Sequence, residues 1–552
     1  MKIRVIEKSA NKNAARPITP TIKKLSTMKN LKNKMIFFSL LFFLFGFVTT
    51  GFSQPLSPTQ IDSLVLHSMK TFDVPGIAVA VIKDGKIVVA KGYGVRSLKT
   101  MKKVDPHTLF AIASNSKAFT TASLAMLVDR GKLHWDDKVR KYIPEFQVYA
   151  PYVSANFTIR DLVTHRSGLG LGAGDLMIFP NGSHFSVDEL IHNLRYLKPV
   201  SGFRAKFAYD NLLYIVAGEV IHRVSGMSWE AFVQKYIFDK LGMNESVPGY
   251  TFLKDSSDMA DAHVMVNGKL QVVPRFSQPM ADAAGGINSN IHDLTKWVLA
   301  RLNDGRYGNS LQNHLFSLKE SREMFSPQTI LPARKNGPYH SHFRAYGLGW
   351  FMQDVKGYKE IWHTGGLAGM VTEITLIPEL KLGIIVLTNQ EVGAAFQSVT
   401  DQILDGYLNI KGTHRVDEYK KQIEKRQQHA GMMTKAVWQK VKQQQLSGAK
   451  TPELKPFTGI YRDAWFGNVD ITLKNDTLWF TSEKSSQMHG FLEWYKNDVF
   501  IVKWHNRRLH ADAFVLFNSD FSGKPDEIKM KPVSPLTDFS FDFQDLHFFR
   551  VK

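Results

Sequence analysis

The sequence predicts an α/β fold, α+β in detail, in which one sheet draws on both ends of a long helix-rich stretch and a small all-β domain follows. Three observations carry this. A hairpin signal stands at Asp84-Gly85, strand signals return only after residue 370, and capped helix starts fill the interval. Past residue 456 the chain turns to short apolar-alternating runs separated by turn residues. Its 552 residues exceed one ordinary domain. With 44% hydrophobic and 22% charged residues, disorder is excluded for most of it. The chain has no cysteine, which excludes disulfides, zinc–thiolate sites, iron–sulfur clusters, thiol nucleophiles and a lipidated Cys anchor.

The first segment, residues 1–53, reads as an N-terminal extension and signal peptide. Residues 1–34 hold ten Lys/Arg against Glu7 alone, a net +9. They lead into an apolar run from Met35 to Val48, whose 14 residues fall short of the roughly 20 of a membrane span. Small residues at Gly51 and Ser53 point to cleavage after Ser53, giving an exported, periplasmic or secreted protein. An uncleaved anchor is the other reading. Met28 provides a normal leader start by itself, so the start is Met1 or Met28. Of the formal +20, the mature chain keeps +11, so the charge reflects an export signal plus a basic linker, not a nucleic-acid footprint. Contact with a membrane is expected only through the signal segment.

Residues 54–410 form the main domain. Ser57-Pro58-Thr59-Gln60 is a capping box with Pro at the first helical position, and Ile61, Leu64, Val65, Met69 and Phe72 follow at helical spacing. Ile77–Ile82 and Ile87–Ala90 are strand runs joined through Asp84-Gly85. Helix starts recur at Thr158-x-x-Asp161, Ser186-x-x-Glu189 and Asn290-x-x-Asp293. Strands return at Glu373–Ile377 and Gly383–Leu387. Residues 411–455 are Lys/Gln-rich and read as a helical linker. Residues 456–552 read as a small β-barrel-like domain, whose Trp465, Trp479, Trp494 and Trp504 suit its core better than a glycan platform.

No G-x-S-x-G, H-E-x-x-H or P-loop pattern occurs. S-x-x-K occurs at Ser9, Ser26, Ser114 and Ser447, but only Ser114 follows an apolar approach and opens an apolar helix. Residues three apart share a helix face, so Lys117 reaches back to the Ser114 hydroxyl. A partly buried Lys loses basicity enough to take the proton that makes Ser a nucleophile. A Ser cap beside a solvated Lys is the competing reading. Tyr209-Asp210-Asn211 precedes the apolar run Leu212–Val220, where Tyr could relay a proton and Asn could donate to a substrate carbonyl; a turn aromatic is the bland alternative. His363-Thr364-Gly365-Gly366 is the chain's one [KH]-[ST]-G and reads as an edge strand ending in glycines. His340-Ser341-His342 has metal-like spacing without a third ligand, so no metal site is predicted, and no cofactor. Arg204, Lys206 and the neighbouring Phe residues could touch substrate or flank a turn.

These three motifs in this order resemble the serine β-lactamase/penicillin-binding-protein-like superfamily, and more closely its class C β-lactamase-related branch of esterases and D-amino-acid peptidases. Asp73–Gly76, Thr158–Gly168, Ala284–Ile287 and Gly383–Asn389 support it. The resemblance covers about 57–400. It implies an antiparallel sheet flanked by helices plus an all-helical subdomain, with the tail a commonly appended β-domain. It implies that Ser114 becomes acylated, that Lys117 and Tyr209 share the acid and base work, and that Asn211 orients substrate. The N–H groups of Ser114 and Gly366 would then form the oxyanion hole, with His363, Thr364 and Gly365 lining the guiding strand. Position 363 is His where β-lactamases carry Lys. A largely neutral imidazole suits esters, amides or D-amino-acid peptides better than a β-lactam carboxylate. Asp210 either faces the site and raises the Lys117 pKa or faces solvent. The resulting expectation is a serine hydrolase acting on a small-molecule or peptide substrate, cell-wall-derived peptides included. A β-lactamase or D-Ala-D-Ala carboxypeptidase is the alternative, and a non-catalytic sensor of the same fold is the second.

Overall fold

The computed structural model describes residues 55–333, 337–447 and 451–551. The leader and its cleavage point lie outside them. Helix α1 (Pro58–Phe72) starts at Ser57, whose Oγ accepts from the Gln60 N–H while Gln60 Oε1 accepts from the Ser57 N–H, the reciprocal box read in the sequence. Strands β1 (Gly76–Lys83) and β2 (Lys86–Gly94) form the expected hairpin. Asp84 and Gly85 both take positive φ, 50° and 76°, as a tight hairpin turn requires.

Next come helices α2 (Lys117–Asp129), α3 (Leu212–Ser225) and α4 (Ile291–Leu302). Six strands then follow: β3 (Thr329–Leu331), β4 (Arg344–Tyr346), β5 (Phe351–Val355), β6 (Tyr358–Leu367), β7 (Met370–Ile377) and β8 (Leu382–Thr388). They join the hairpin in one antiparallel sheet of order β2-β1-β8-β7-β6-β5-β4-β3. Residue Ile77 of β1 lies opposite Thr388 of β8, so the two ends of the domain do meet in one sheet. Both faces of β1 are buried. Ala78, Ala80 and Ile82 enter the core shared with α2, α3 and α4. Ile77, Val79 and Val81 enter the core under α1 and helix α5 (Gly393–Tyr407). That double burial explains the unbroken apolar run.

Helix α6 (Arg415–Leu446) is the linker helix. Arg415 clamps it to α5 by a bidentate pair with Asp405 at 2.7 and 2.9 Å. At its far end Val441 packs with Ile501 and Val533. Eight strands follow: β9 (Gly459–Asp463), β10 (Gly467–Lys474), β11 (Thr477–Ser482), β12 (His489–Lys496), β13 (Val499–Trp504), β14 (Ala513–Ser519), β15 (Pro525–Pro532) and β16 (His547–Arg550). They close into a barrel in which Trp465 and Trp504 are buried, while Trp479 and Trp494 are only partly buried, so the expected core role does not hold for all four. The barrel sits against the helical subdomain. The Asn193 amide donates to the Trp465 carbonyl (2.8 Å), the His184 N–H to the Lys484 carbonyl (2.8 Å), and Lys484 pairs with Glu189 at 2.6 Å.

Arg204 proves structural. Its guanidinium and that of Arg166 converge on the fully buried Asp161, at 2.6 and 2.9 Å, while Asp161 also receives the Thr158 hydroxyl. Of the neighbouring Phe residues, Phe203 packs near Phe157 and Phe207 lines the cleft described below. Replacing Asp161 by Ala strands two guanidinium groups. The expected loss is about 3 kcal/mol, the low end for a broken buried ion pair because Arg204 is partly exposed. Urea unfolding of Asp161→Ala beside the parent chain measures it.

Candidate active site

Ser114 sits in a single 3-10 turn, Ala113–Ser116, that runs into α2. Ala113 holds φ at 49°, a left-handed conformation that costs an L-residue about 1–2 kcal/mol. The turn is fixed from several sides. Ser116 Oγ accepts from the Ile287 N–H, and Asn115 donates to Thr372 Oγ1, which in turn donates to the Ile112 carbonyl.

Lys117 lies one helical turn on, completely buried, with its Nζ 3.1 Å from Ser114 Oγ. Two further partners are Asn211 Oδ1 and the Ala284 carbonyl, each at 2.8 Å. Burial pushes the Lys117 pKa down to about 7, against an opposing pull from Asp175 and Asp210. The neutral amine fits this environment well. It has two N–H bonds for two obligate acceptors and one lone pair for the Ser114 hydroxyl proton.

Tyr209 closes the other side. Its hydroxyl is desolvated, which raises its pKa well above that of free phenol, although a hydrogen bond with Ser114 draws it back. Lys117 Nζ lies 4.9 Å from the centre of the Tyr209 ring. The phenol thus keeps its proton at rest.

Asn211 lines the cleft, but its amide is engaged with protein atoms. Oδ1 accepts from Lys117, and Nδ2 donates to Asp175 Oδ2 at 2.8 Å. Its observed part is to hold the lysine, in contrast to the expected contact with substrate. Asp210 is buried and turned toward the start of α3, where Oδ1 accepts from the Leu213 N–H. Burial lifts its pKa to about 7, tempered by the helix N–H groups and by Lys117. It thus faces neither solvent nor the substrate side, yet still acts on Lys117 through its charge.

His363 lies in β6 and is 1% exposed. Its Nδ1 is 2.6 Å from the Thr364 carbonyl, and its Nε2 is 3.2 Å from the Tyr346 hydroxyl. One neutral tautomer satisfies both, donating from Nδ1 and accepting at Nε2. Burial, reinforced by Lys117, lowers its pKa to about 3. The imidazole is a neutral wall of the site.

Strand β6 is interior, fifth of eight, and so departs from the expected edge strand. Its pairing with β5 stops at Trp362–Phe351, so residues 363–367 extend past that neighbour and border the cleft. Gly365 lets the strand reach the nucleophile turn, because a Cβ there would stand 2.1 Å from the Ile112 carbonyl oxygen. At Gly366 a Cβ would meet nothing within 4 Å, consistent with its position at the open cleft.

The cleft measures about 910 Å³ and is bordered by Ser114, Tyr209, Asn211, His363, Thr364, Gly365 and Gly366. Much of the remaining lining is apolar, including Phe179, Phe207, Phe276, Phe351 and Phe396. Sequence reasoning missed the Ala284 carbonyl, although its stretch was noted, and missed Asp175, which has no motif around it. It also missed the barrel's own share of the lining. Arg508, Leu509, Leu536 and Phe539 all reach the cleft. His342 bonds to Asp354 at 2.8 Å. Among the described residues the one cluster with metal-like geometry is His107, Glu245 and His292, and in it His107 already bonds to Glu245 at 3.0 Å.

A helix-borne Ser–Lys pair beneath a strand, with a Tyr opposite, defines the serine β-lactamase/penicillin-binding-protein superfamily site. The family model described as "Beta-lactamase" matches residues 61–408, and the chain belongs to that family. A second model, a domain of unknown function (DUF3471), matches residues 444–550. An unguisins hydrolase of Aspergillus violaceofuscus is 28% identical over 377 residues, 64% of this chain and 65% of that protein. The chain thus spans just under two thirds of that relative. Protein flp of Staphylococcus aureus (strain NCTC 8325 / PS 47) is 25% identical over 377 residues, covering 66% of this chain and 70% of its own. Among solved structures, an octameric penicillin-binding protein homologue from Pyrococcus abyssi superposes with a TM-score of 0.56 at 20% identity, covering 90% of this chain and all of that one. A class C beta-lactamase superposes with a TM-score of 0.51 at 20% identity, over 64% of this chain and 96% of that one. These likenesses support a hydrolase of β-lactamase fold.

Gly365→Ala is expected to push β6 away from the Ile112–Ser114 turn. A displacement near 1 Å costs on the order of 100-fold in rate. Labelling of the variant by a fluorophosphonate, compared with the parent chain, measures the loss, and circular dichroism checks that the sheet survives.

Proposed function

We propose that this protein is an exported serine hydrolase that forms an acyl-enzyme on Ser114 and cleaves ester, amide or D-amino-acid peptide bonds. The observation that carries this reading is the Lys117 amine, desolvated and set 3.1 Å from Ser114 Oγ with its other two directions occupied. In the first step the Lys117 lone pair takes the Ser114 proton as Oγ bonds to the substrate carbonyl carbon. The resulting oxyanion is received by the N–H groups of Ser114 and Gly366, each such donor contributing on the order of 10²–10³ in rate. The proton then passes through Lys117 and Tyr209 to the leaving group as the carbonyl–leaving-group bond breaks. A water molecule attacks the acyl-enzyme, losing its proton by the same route, and frees Ser114.

The substrate class follows from the walls. The cleft offers aromatic surface, and the residue at the Lys position of β-lactamases is a neutral His363. That favours an acyl group with apolar substituents over one steered by a carboxylate. The name of the Aspergillus relative, an unguisins hydrolase, agrees with a hydrolytic reaction. A panel of p-nitrophenyl esters, D-amino-acid amides and a chromogenic cephalosporin decides the class. Esters or amides are expected to turn over fastest, with Ser114→Ala inert and unlabelled by fluorophosphonate. Preferential cephalosporin turnover would place the protein among the β-lactamases instead. Absence of label on the parent chain would remove the enzymatic reading altogether.

The Lys117 pKa also sets a pH dependence. The base acts only when unprotonated, so kcat/KM should climb about tenfold per pH unit below about 7 and level off above it. A rate that is flat between pH 5 and 8 contradicts this assignment of the base.

A further inference from the structure

The barrel's place in the cleft is the least explained feature of the molecule. The segment between β15 and β16 leaves the barrel wall and enters the catalytic domain. There it meets the glycine-rich loop 168–174, which runs beside the site. Gly172 donates its N–H to the Tyr209 carbonyl at 2.8 Å, and a Cβ on Gly172 would stand 2.7 Å from both the Phe539 ring and the Phe539 carbonyl oxygen. Phe539 itself stands edge-on to the Tyr209 ring, 6.0 Å between centres.

Three residues further on, Asp542 is fully buried. Its Oδ2 accepts from the Gly174 N–H at 2.6 Å and its Oδ1 from the Leu176 N–H at 3.1 Å. Those two donors flank Asp175, the residue that receives the Asn211 amide and through it orients Lys117. A continuous chain of contacts therefore runs from the barrel to the nucleophile: Asp542, the Gly174–Leu176 backbone, Asp175, Asn211, Lys117, Ser114.

We propose that Asp542 of the C-terminal barrel is a positioning residue for the catalytic lysine, so that the barrel is a working part of the hydrolase site and not an appendage. The proposal rests on the Ser114–Lys117 reading given above. Asp542 fixes the turn that presents the Asp175 carboxyl to Asn211. Burial and the neighbouring Asp545 hold the pKa of Asp542 itself well above the usual carboxylate range, so its hold on the turn lies in its hydrogen bonds and not in a charge. Asp175 faces Asp542, Asp210 and Lys117, and burial together with the two neighbouring carboxyls holds its pKa far above the usual carboxylate range. The higher the Asp175 pKa, the weaker its pull on a Lys117 proton. Of the other titratable neighbours of Lys117, burial holds His165 and His363 neutral and keeps the Tyr209 and Tyr214 phenols protonated.

The test uses full-length Asp542→Ala and Asp542→Asn, with Asp520→Ala on an exposed barrel turn as control. The measurements are fluorophosphonate labelling of Ser114 from pH 5 to 10, ester kinetics, and thermal unfolding. Asp542→Ala is expected to lose at least tenfold in kcat with KM within twofold. The midpoint of its labelling profile should move to higher pH, because a loosened Gly174–Leu176 turn no longer seats Asp175 and Asn211 against Lys117, and water reaching the amine restores its basicity. Asp542→Asn keeps the shape and one acceptor oxygen. It should show a smaller loss in the same direction, and it carries the test if the alanine variant does not fold. Should a folded Asp542 variant label at the parental rate with an unmoved midpoint, the proposal is overturned while the Ser114 reading stands. Failure of the parent chain to label overturns both.

Discussion

The site depends on keeping one amine out of water. Lys117 has no carboxylate in hydrogen-bond contact, and its ammonium form would be costly in so enclosed a place. The structure meets that cost by letting the group stay neutral near physiological pH. It then offers two carbonyl-type acceptors and a hydroxyl, which match a neutral amine. Burial raises the pKa of both nearby acids, Asp175 and Asp210, which weakens their pull on a Lys117 proton. Any change that admits water or ionises Asp175 restores the ordinary basicity of lysine.

The rest of the fold can be understood as the frame around that amine. The sheet delivers β6 close to the nucleophile turn, which is possible only because Gly365 has no side chain to strike Ile112. Helices α2 and α3 bring Lys117, Tyr209 and Asn211 together from segments about a hundred residues apart in sequence. The stretch before α4 adds the Ala284 carbonyl. Helix α6 ties the catalytic domain to the barrel at both of its ends, through Arg415 and Val441. Its polar surface reflects that role, since only its two ends and Ala430 in the middle bury side chains.

What could be read in the sequence was what local geometry imposes. One helical turn separates Ser114 from Lys117, so their contact follows from spacing. Capping boxes at Ser57, Thr158 and Ser186 mark helix starts because each satisfies backbone donors within four residues. The Asp84-Gly85 turn was legible for the same reason. The strands β3, β4 and β5 were not anticipated. They are three to five residues long and carry Arg344, Gln353 and Asp354, too little for a period-two pattern to emerge. The expected edge strand at His363 proved interior because those unseen strands lie beyond it. Asp175 and Asp542 were invisible because a lone aspartate has no signature, and their meaning lies in a contact spanning more than 360 positions. The motif at Tyr209-Asp210-Asn211 gave the residues but not their duties. Only the three-dimensional arrangement shows the Asn211 amide turned toward Lys117 and Asp175.

The pairing of β1 with β8 has a consequence for how the molecule is made. Ile77 finds its partner at Thr388, so the central sheet stays open while the intervening three hundred residues are synthesised. A nascent chain at that stage holds the apolar strand β1 without its partner and depends on protection from premature association. The bonds of Asp542 to the Gly174 and Leu176 N–H groups form later still, once the segment before β16 has emerged and docked. A half-made chain therefore carries its serine and its lysine before the fold around them is complete.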